Sequence, residues 1–166
     1  MKYFEISRSL QVSSEQIFDA WTKAFHLEKW WAPRGFELEI IKLDLNIGGK
    51  FHYNMKTADG YQMWGRFIYT EIQKPHRLSF VNSFSNAGGK ITQAPFSDDW
   101  PREIINELTL SELNGKTKIT LKAAPVNAGE LAIQTFEANF ESLMLGFTGT
   151  FDRLEEHLLQ TNNSVK

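Results

Sequence analysis

The sequence predicts an α+β domain, in which a curved antiparallel sheet of about six to seven strands wraps around one long C-terminal helix. Period-2 apolar patterns recur between residues 36 and 123, separated by Gly and Asn turn signals. From residue 127 the apolar period becomes helical and stays so to residue 160. An apolar sheet face and an apolar helix stripe must each be buried, and packing one against the other achieves both.

The N-terminal part predicts one strand and two short helices. Tyr3–Val12 has the composition of a strand. Ser13 can cap a helix that runs to about residue 23, because Gln16 stands at the third helical position and completes a capping box. A second short helix is predicted at His26–Trp31, ended by the Pro33–Gly35 turn.

The middle of the chain predicts the rest of the sheet. Strand segments fall at Phe36–Leu43, Phe51–Lys56, Tyr61–Ile72, Leu78–Phe84, Glu103–Leu113 and Thr117–Ala123. Asp59–Gly60 and Asn114–Gly115 are hairpin signals. Ser85–Asp99 is predicted to be a long loop because it is rich in Gly, Ser, Asn and Pro. On the strand after residue 50, the face that carries His52 and Asn54 is predicted to be solvated.

The C-terminal segment predicts one long helix over Asn127–Gln160. Its apolar stripe consists of Ile133, Phe136, Phe140, Leu143, Phe147, Phe151, Leu154 and Leu158. Gly146 and Gly149 weaken the helix midway and indicate close packing or a kink there. Residues 1–160 are predicted to form a single domain, and 161–166 a frayed tail.

Composition limits the classes of partner and site. The 18 Lys and Arg nearly balance the 20 Asp and Glu, and without a basic run no nucleic-acid partner is expected. The absence of Cys excludes disulfides and thiolate chemistry. With no apolar leader and no membrane-length apolar run, we expect a cytoplasmic protein without a membrane partner. The four His lie on separate elements without ligand spacing, so neither a metal site nor a cofactor is predicted.

Several short motifs together carry a family resemblance. They are His26-Leu27, Trp30–Pro33, Gly35-Phe36, Gly48–Phe51, Asp59-Gly60, Tyr69–Ile72 before Pro75, Arg77-Leu78, Trp100-Pro101, Asn114–Thr117 and Gly146 onward. With these motifs, residues from about 9 to 160 resemble the START-like or birch-pollen-allergen-like superfamily, also called helix-grip or SRPBCC. Within it the chain is similar to homologues of the activator of the heat-shock chaperone ATPase. The resemblance implies a helix-grip fold with an internal cavity, and no shared catalytic set.

The cavity implied by the resemblance has a proposed wall. We predict that it consists of Trp30, Trp31, Tyr53, Trp64, Phe67, Tyr69, Phe80, Phe84, Trp100, Phe136, Phe140 and Met144, with Asn82 and Asn106 orienting a ligand. Alternatives stay open at three places. Trp30 and Trp31 either both wall the cavity mouth or divide between core and surface. Asn82 and Asn106 share the parity of apolar neighbours, unless a bulge turns them outward. Gly65 interrupts its strand, so Trp64 and Phe67 need not both point inward.

Three functions are compatible with the predicted fold and cavity. The first is binding of a small hydrophobic or aromatic molecule. The second is a cyclase, dehydratase or hydrolase in the same cavity, which requires an inward ionisable side chain with a shifted pKa. Its candidates are Glu71, Glu103, Asp98 and Asp99, by location only. The third is a chaperone-interacting or homodimerising module, which predicts a contiguous exposed apolar patch and a packed interior.

Overall fold

The computed structural model describes residues 2–165, with side chains as far as Thr161, and contains one seven-stranded antiparallel sheet. The strands are β1 (Phe4–Leu10), β2 (Phe36–Leu43), β3 (Lys50–Thr57), β4 (Gln62–Gln73), β5 (Arg77–Phe84), β6 (Ile104–Leu113) and β7 (Lys116–Pro125). Their order across the sheet is β1-β7-β6-β5-β4-β3-β2, so β2 to β7 form a meander and β1 pairs with the last strand. This confirms the predicted α+β sheet and its strand number.

Four helices accompany the sheet. They are α1 (Ser14–Thr22), α2 (Ala24–Trp30), α3 (Glu130–Ala138) and α4 (Phe140–Val165). The predicted capping box is present, since the Ser13 hydroxyl accepts from the Gln16 N–H and the Gln16 side chain accepts from the Ser13 N–H. The described helices include none that is both long enough and apolar enough to cross a membrane.

Helices and sheet meet on one face, which we call the inner face. Its cross-strand rows carry Phe51, Phe67, Tyr69, Phe80, Leu108 and Leu121, all buried. Register shifts at Ile40/Lys42 and Tyr69/Glu71 bend the strands and favour a curved sheet. α4 makes its close backbone contacts with β1, α1, α2 and α3. The inner face of β3 to β5 therefore lies farther from α4 than the β1 edge does.

The C-terminal helical segment is divided, contrary to the predicted single helix. α3 ends at Ala138, and Asn139 (φ −110°, ψ 19°) separates it from α4. Phe136 and Phe140 contact each other across this break, so the apolar stripe continues through it. The stripe in the sequence therefore does not reveal where one helix ends and the next begins. The expected close packing is wrong for Gly146, where a Cβ would meet nothing within 4 Å, and α4 runs on through both glycines. The tail predicted to fray is helical to Val165, and Lys166 lies outside the described residues.

The loop after β5 folds back over the outer face of the sheet. His52 Nε2 lies 3.2 Å from the Asn86 carbonyl oxygen, and Arg66 Nη1 donates to the Gly89 carbonyl at 2.9 Å. His52 and Asn54 are both buried, so the prediction of a solvated face on β3 is wrong. The alternation of β3 identified two faces correctly but could not reveal that a distant loop covers the polar one.

Candidate ligand pocket

A pocket of about 750 Å³ lies where α4 diverges from the inner face of β3 to β5. Most of its lining is apolar or aromatic, which is usual for small-molecule sites. The lining residues are Trp31, Pro33, Tyr53, Met55, Met63, Trp64, Gly65, Asn82, Ser83, Phe84, Phe96, Trp100, Asn139, Ser142, Leu143, Leu145, Gly146, Phe147, Gly149, Thr150 and Arg153.

The two adjacent tryptophans divide between the core and the pocket. Trp30 is 1% exposed, and its indole N–H donates to the Ala20 carbonyl at 2.8 Å. Trp31 follows the last residue of α2, and its ring plane is turned 88° from that of Trp30. It packs edge-on against Phe67 at 5.3 Å between ring centroids and lines the pocket. Of these two adjacent tryptophans, Trp31 therefore supplies its indole to the pocket wall and Trp30 does not.

Tyr53 forms part of the pocket floor because a glycine lies opposite it. Tyr53 pairs with Gly65 across β3 and β4, and a Cβ on Gly65 would lie 2.5 Å from the Tyr53 hydroxyl oxygen. Burial raises the pKa of Tyr53 to about 12, an effect that the nearby side chains of Trp31 and Asn82 partly oppose. Tyr53 is therefore a neutral phenol at physiological pH.

The α4 wall of the pocket consists mainly of small and polar side chains. Ser142, Gly146, Gly149 and Thr150 recur at helical spacing on the side of α4 that lines the pocket. Small residues here leave space between the helix and the sheet. Phe147 also lines the pocket, and its ring stacks on that of Phe4 in β1 at 5.6 Å, where the helix and the sheet close together.

Arg153 stands at the end of this wall, beside the C-terminus of α2. Its Nε donates to the Trp30 carbonyl at 3.2 Å, and its Nη2 donates to the Thr150 hydroxyl at 3.3 Å. Burial lowers the pKa of the guanidinium, and Arg34 adds to this, while Asp152 and Glu156 oppose it. An arginine nevertheless stays charged at neutral pH. The pocket thus has a fixed positive charge at one end.

Asn82 is the predicted amide that lines the pocket, on the sheet side. Its Nδ2 donates to the Arg66 carbonyl at 3.1 Å and lies 3.5 Å from the Tyr53 hydroxyl. Within the described part of the chain no group donates a hydrogen bond to its Oδ1. Asn106 is buried elsewhere, and its Nδ2 donates to the Ile104 carbonyl at 3.1 Å, so it is not part of the pocket lining.

Comparison with known proteins assigns the chain to a family. Residues 11–158 match the family described as Activator of Hsp90 ATPase homolog 1-like protein. The chain belongs to this family. Comparison with curated protein sequences gave no match.

Solved structures share the fold of this family member. Protein Ms6760 from Mycobacterium smegmatis superposes with a TM-score of 0.74 at 22% identity, covering 93% of this chain and 88% of that one. A protein from Arthrobacter aurescens superposes with a TM-score of 0.77 at 22% identity, covering 95% of this chain and 86% of that one. The AHSA1 protein from Silicibacter pomeroyi superposes with a TM-score of 0.67 at 17% identity, covering 96% of this chain and 99% of that one. These structures confirm the helix-grip fold that the sequence resemblance predicts.

Six of the residues predicted for the wall and its polar groups line the pocket of this family member. They are Trp31, Tyr53, Trp64, Asn82, Phe84 and Trp100. Trp64 does so although its ring packs against His52, 5.5 Å between centroids, on the outer face. Phe67 points inward but is fully buried, so the two residues do not share a face.

The other eight predicted residues lie outside the lining. Trp30, Phe67, Tyr69, Phe80, Asn106 and Phe136 are buried, Phe140 packs between Phe4 and Phe136, and Met144 is 42% exposed on α4. Phe67 and Phe80 stack on each other at 3.9 Å, which shows that they fill the core. Sheet parity identified the inner face correctly, but it could not tell how far along that face the helix stays in contact.

Sequence reasoning missed the contribution of α4. Ser142, Gly146, Gly149, Thr150 and Arg153 were absent from the predicted wall. Their signal is present in the sequence, as a row of small and polar residues flanking the apolar stripe of the helix. The stripe itself mostly packs into the core.

The acids considered for catalysis lie elsewhere. Glu71 Oε1 pairs with Arg77 at 3.0 Å, Glu103 accepts from Asn127 at 3.3 Å, and Asp98 and Asp99 are exposed. Among the described residues no group of three or more His, Cys, Asp or Glu could hold a metal ion. His26 and His157 do meet, with Nδ1 and Nε2 only 2.7 Å apart, although the sequence places them on separate helices.

Proposed function

We propose that this protein binds a small hydrophobic or aromatic molecule in the pocket between α4 and β3 to β5. The observation that carries the proposal is the pocket itself, about 750 Å³ of space lined mainly by aromatic and aliphatic side chains. Sites for small molecules commonly fall in this range of volume and have this kind of lining. Removing apolar surface of the ligand from water supplies the affinity.

The composition of the lining favours binding over catalysis. An enzyme of cyclase, dehydratase or hydrolase type needs a group placed to move a proton near neutral pH. The described lining residues include no carboxylate, imidazole or thiol. Tyr53 has a pKa of about 12 and Arg153 stays cationic, so both groups keep their protons at neutral pH.

Filling the pocket from α4 tests the proposal. Gly146 lines the pocket and has open space where a Cβ would lie, so Gly146→Leu places an isobutyl group in the pocket without a clash at Cβ. The substitution also replaces a glycine within a helix and is expected to stabilise α4. We expect the variant to weaken binding of the neutral dye N-phenyl-1-naphthylamine by about tenfold or more, which is at least about 1.4 kcal/mol.

The matched control adds bulk to the same helix outside the pocket. Met144 is 42% exposed and is not a lining residue, so Met144→Phe should bind the dye as the wild type does. Dye fluorescence measures binding, and thermal unfolding of each variant checks its fold. Failure of the wild type to show saturable binding to this dye or to any member of a broad panel of apolar and aromatic compounds would overturn the proposal. So would equal loss of binding in both variants.

A further inference from the structure

Arg153 is the one formally charged side chain in the described lining of the pocket. Arg153 is half-buried, and removing part of a charge from water without a partner costs free energy that an anion would offset. What compensates Arg153 therefore indicates what else belongs in the pocket.

The carboxylates nearest to Arg153 along α4 are engaged by other arginines. Asp152 pairs with Arg8 at 2.7 Å, and Glu156 pairs with Arg34 at 2.7 Å. Arg153 makes no salt bridge with any of the side chains described. Its two hydrogen bonds go to neutral oxygens, the Trp30 carbonyl and the Thr150 hydroxyl.

The guanidinium keeps donors for a further partner. Arginine has five N–H donors, and the two bonds use one on Nε and one on Nη2. Nη1 makes no hydrogen bond within the described part of the chain and lies over Gly149, 3.5 Å from where a Cβ on that residue would be. A carboxylate is suited to such a position, because guanidinium binds it with short, charge-assisted hydrogen bonds.

The helix dipole at this end of the pocket opposes an anion only weakly. The C-terminus of α2 carries at most about half a negative charge, whereas Arg153 carries a full positive one. The Trp30 carbonyl, which contributes to that negative end, already accepts from Arg153. The charge of the guanidinium therefore outweighs that of the helix end beside it.

We propose that the ligand is an apolar or aromatic carboxylic acid, whose carboxylate pairs with Arg153 and whose apolar body lies against Trp31 and Tyr53. This inference rests on the proposed function of the pocket. It adds the charge of the ligand and its orientation, with the carboxylate toward the junction of α2 and α4.

A matched pair of competitors tests the charge requirement separately from binding itself. The neutral dye N-phenyl-1-naphthylamine reports occupancy, and 2-naphthoate and 2-naphthamide displace it with nearly the same shape but different charge. In the wild type, naphthoate should displace the dye at a concentration about tenfold lower than naphthamide, since a hydrogen bond to a charged group exceeds a neutral one by about that factor. Arg153→Met should remove this preference and leave displacement by naphthamide unchanged.

Two variants separate the local charge from net charge and from folding. Arg102 is exposed and outside the lining, so Arg102→Met removes one positive charge and should keep the naphthoate preference. Arg153→Lys keeps the charge and should retain part of the preference. Equal displacement by the two compounds in the wild type would overturn the inference even if Arg153→Met failed to fold. A preference that survives in folded Arg153→Met would do the same. In both cases dye binding would leave the proposed function standing, whereas absence of dye and panel binding would remove both.

Discussion

At the scale of single residues, the pocket depends on where two aromatic rings point. Trp30 ends α2 and turns into the core, whereas Trp31 caps the helix and faces the pocket. The Tyr53 ring lies directly over Gly65, and any larger residue at position 65 would occupy the space that the ring fills. The glycine in β4 is therefore a packing requirement, because a Cβ there would overlap the ring.

Gly65→Ala should displace the Tyr53 ring toward the pocket. We expect it to destabilise the protein by about 1–3 kcal/mol, the usual cost of overpacking a core, and to weaken dye binding. In a Tyr53→Leu background the same change should cost less, because the ring that it clashes with is gone. Urea denaturation of the four proteins of this double-mutant cycle measures the coupling. Additive effects would show that the cost comes from the backbone of β4 and not from Tyr53.

At the scale of elements, the sequence predicts what local patterns determine and misses what distant packing determines. The capping box of α1 needs only Ser13 and Gln16, and it is present as predicted. The break at Asn139 depends on how α3 and α4 settle against the sheet, and the continuous stripe through Phe136 and Phe140 conceals it. Only part of the pocket wall was predicted, for the same reason. The alternation along a strand determines which face points inward, but it does not determine where α4 leaves the sheet.

Ser13→Ala should lower the free energy of unfolding by about 1 kcal/mol, the usual value of an N-cap side chain. The alanine leaves the Gln16 N–H without its side-chain acceptor at the start of α1. Urea unfolding measures the difference, and Ser9→Ala, at an exposed position in β1, is the control with the same chemical change. If both substitutions cost the same, the cap contributes nothing particular to stability.

At the scale of the whole molecule, polar contacts join α4 to α2 and to the turn that follows α2. Arg34 pairs with Glu156, Arg153 bonds to the Trp30 carbonyl, and His26 contacts His157. Burial lowers the pKa of both histidines. Lys23 lowers that of His26 further while Asp19 opposes it, and His26 and Lys29 lower that of His157. A single proton between the two facing ring nitrogens forms an N–H···N hydrogen bond. When both rings are protonated, both facing nitrogens carry an N–H and the two positive charges repel each other.

This junction should make stability depend on pH. Because the folded pKa values of His26 and His157 lie below the ordinary value near 6.5, the unfolded chain takes up protons first as the pH falls. The contribution of the pair is complete above about pH 6.5 and is lost progressively below it. Urea unfolding from about pH 7 to about pH 5.5 should therefore show falling stability over this range.

Replacing one member of the pair tests the assignment. His157→Gln should cost about 1 kcal/mol at neutral pH through the weakened hydrogen bond, and it should flatten the pH dependence. His76 is exposed on the turn between β4 and β5, so His76→Gln should leave the wild-type slope intact. An unchanged slope in His157→Gln would assign the acid sensitivity to other groups.

The pairing of β1 with β7 has a consequence for how the protein emerges from the ribosome. β1 leaves the exit tunnel before the other strands, yet its partner residues, from Thr117 to Ala123, follow more than a hundred residues later. At a synthesis rate of about 5–20 residues per second, β1 waits roughly 5–20 s before it can join the sheet. During that interval the β2–β6 meander can pair strand by strand as it appears. Pairing of the β1 edge must wait until β7 has emerged, and the packing of α4 on Phe4 must wait for α4 itself.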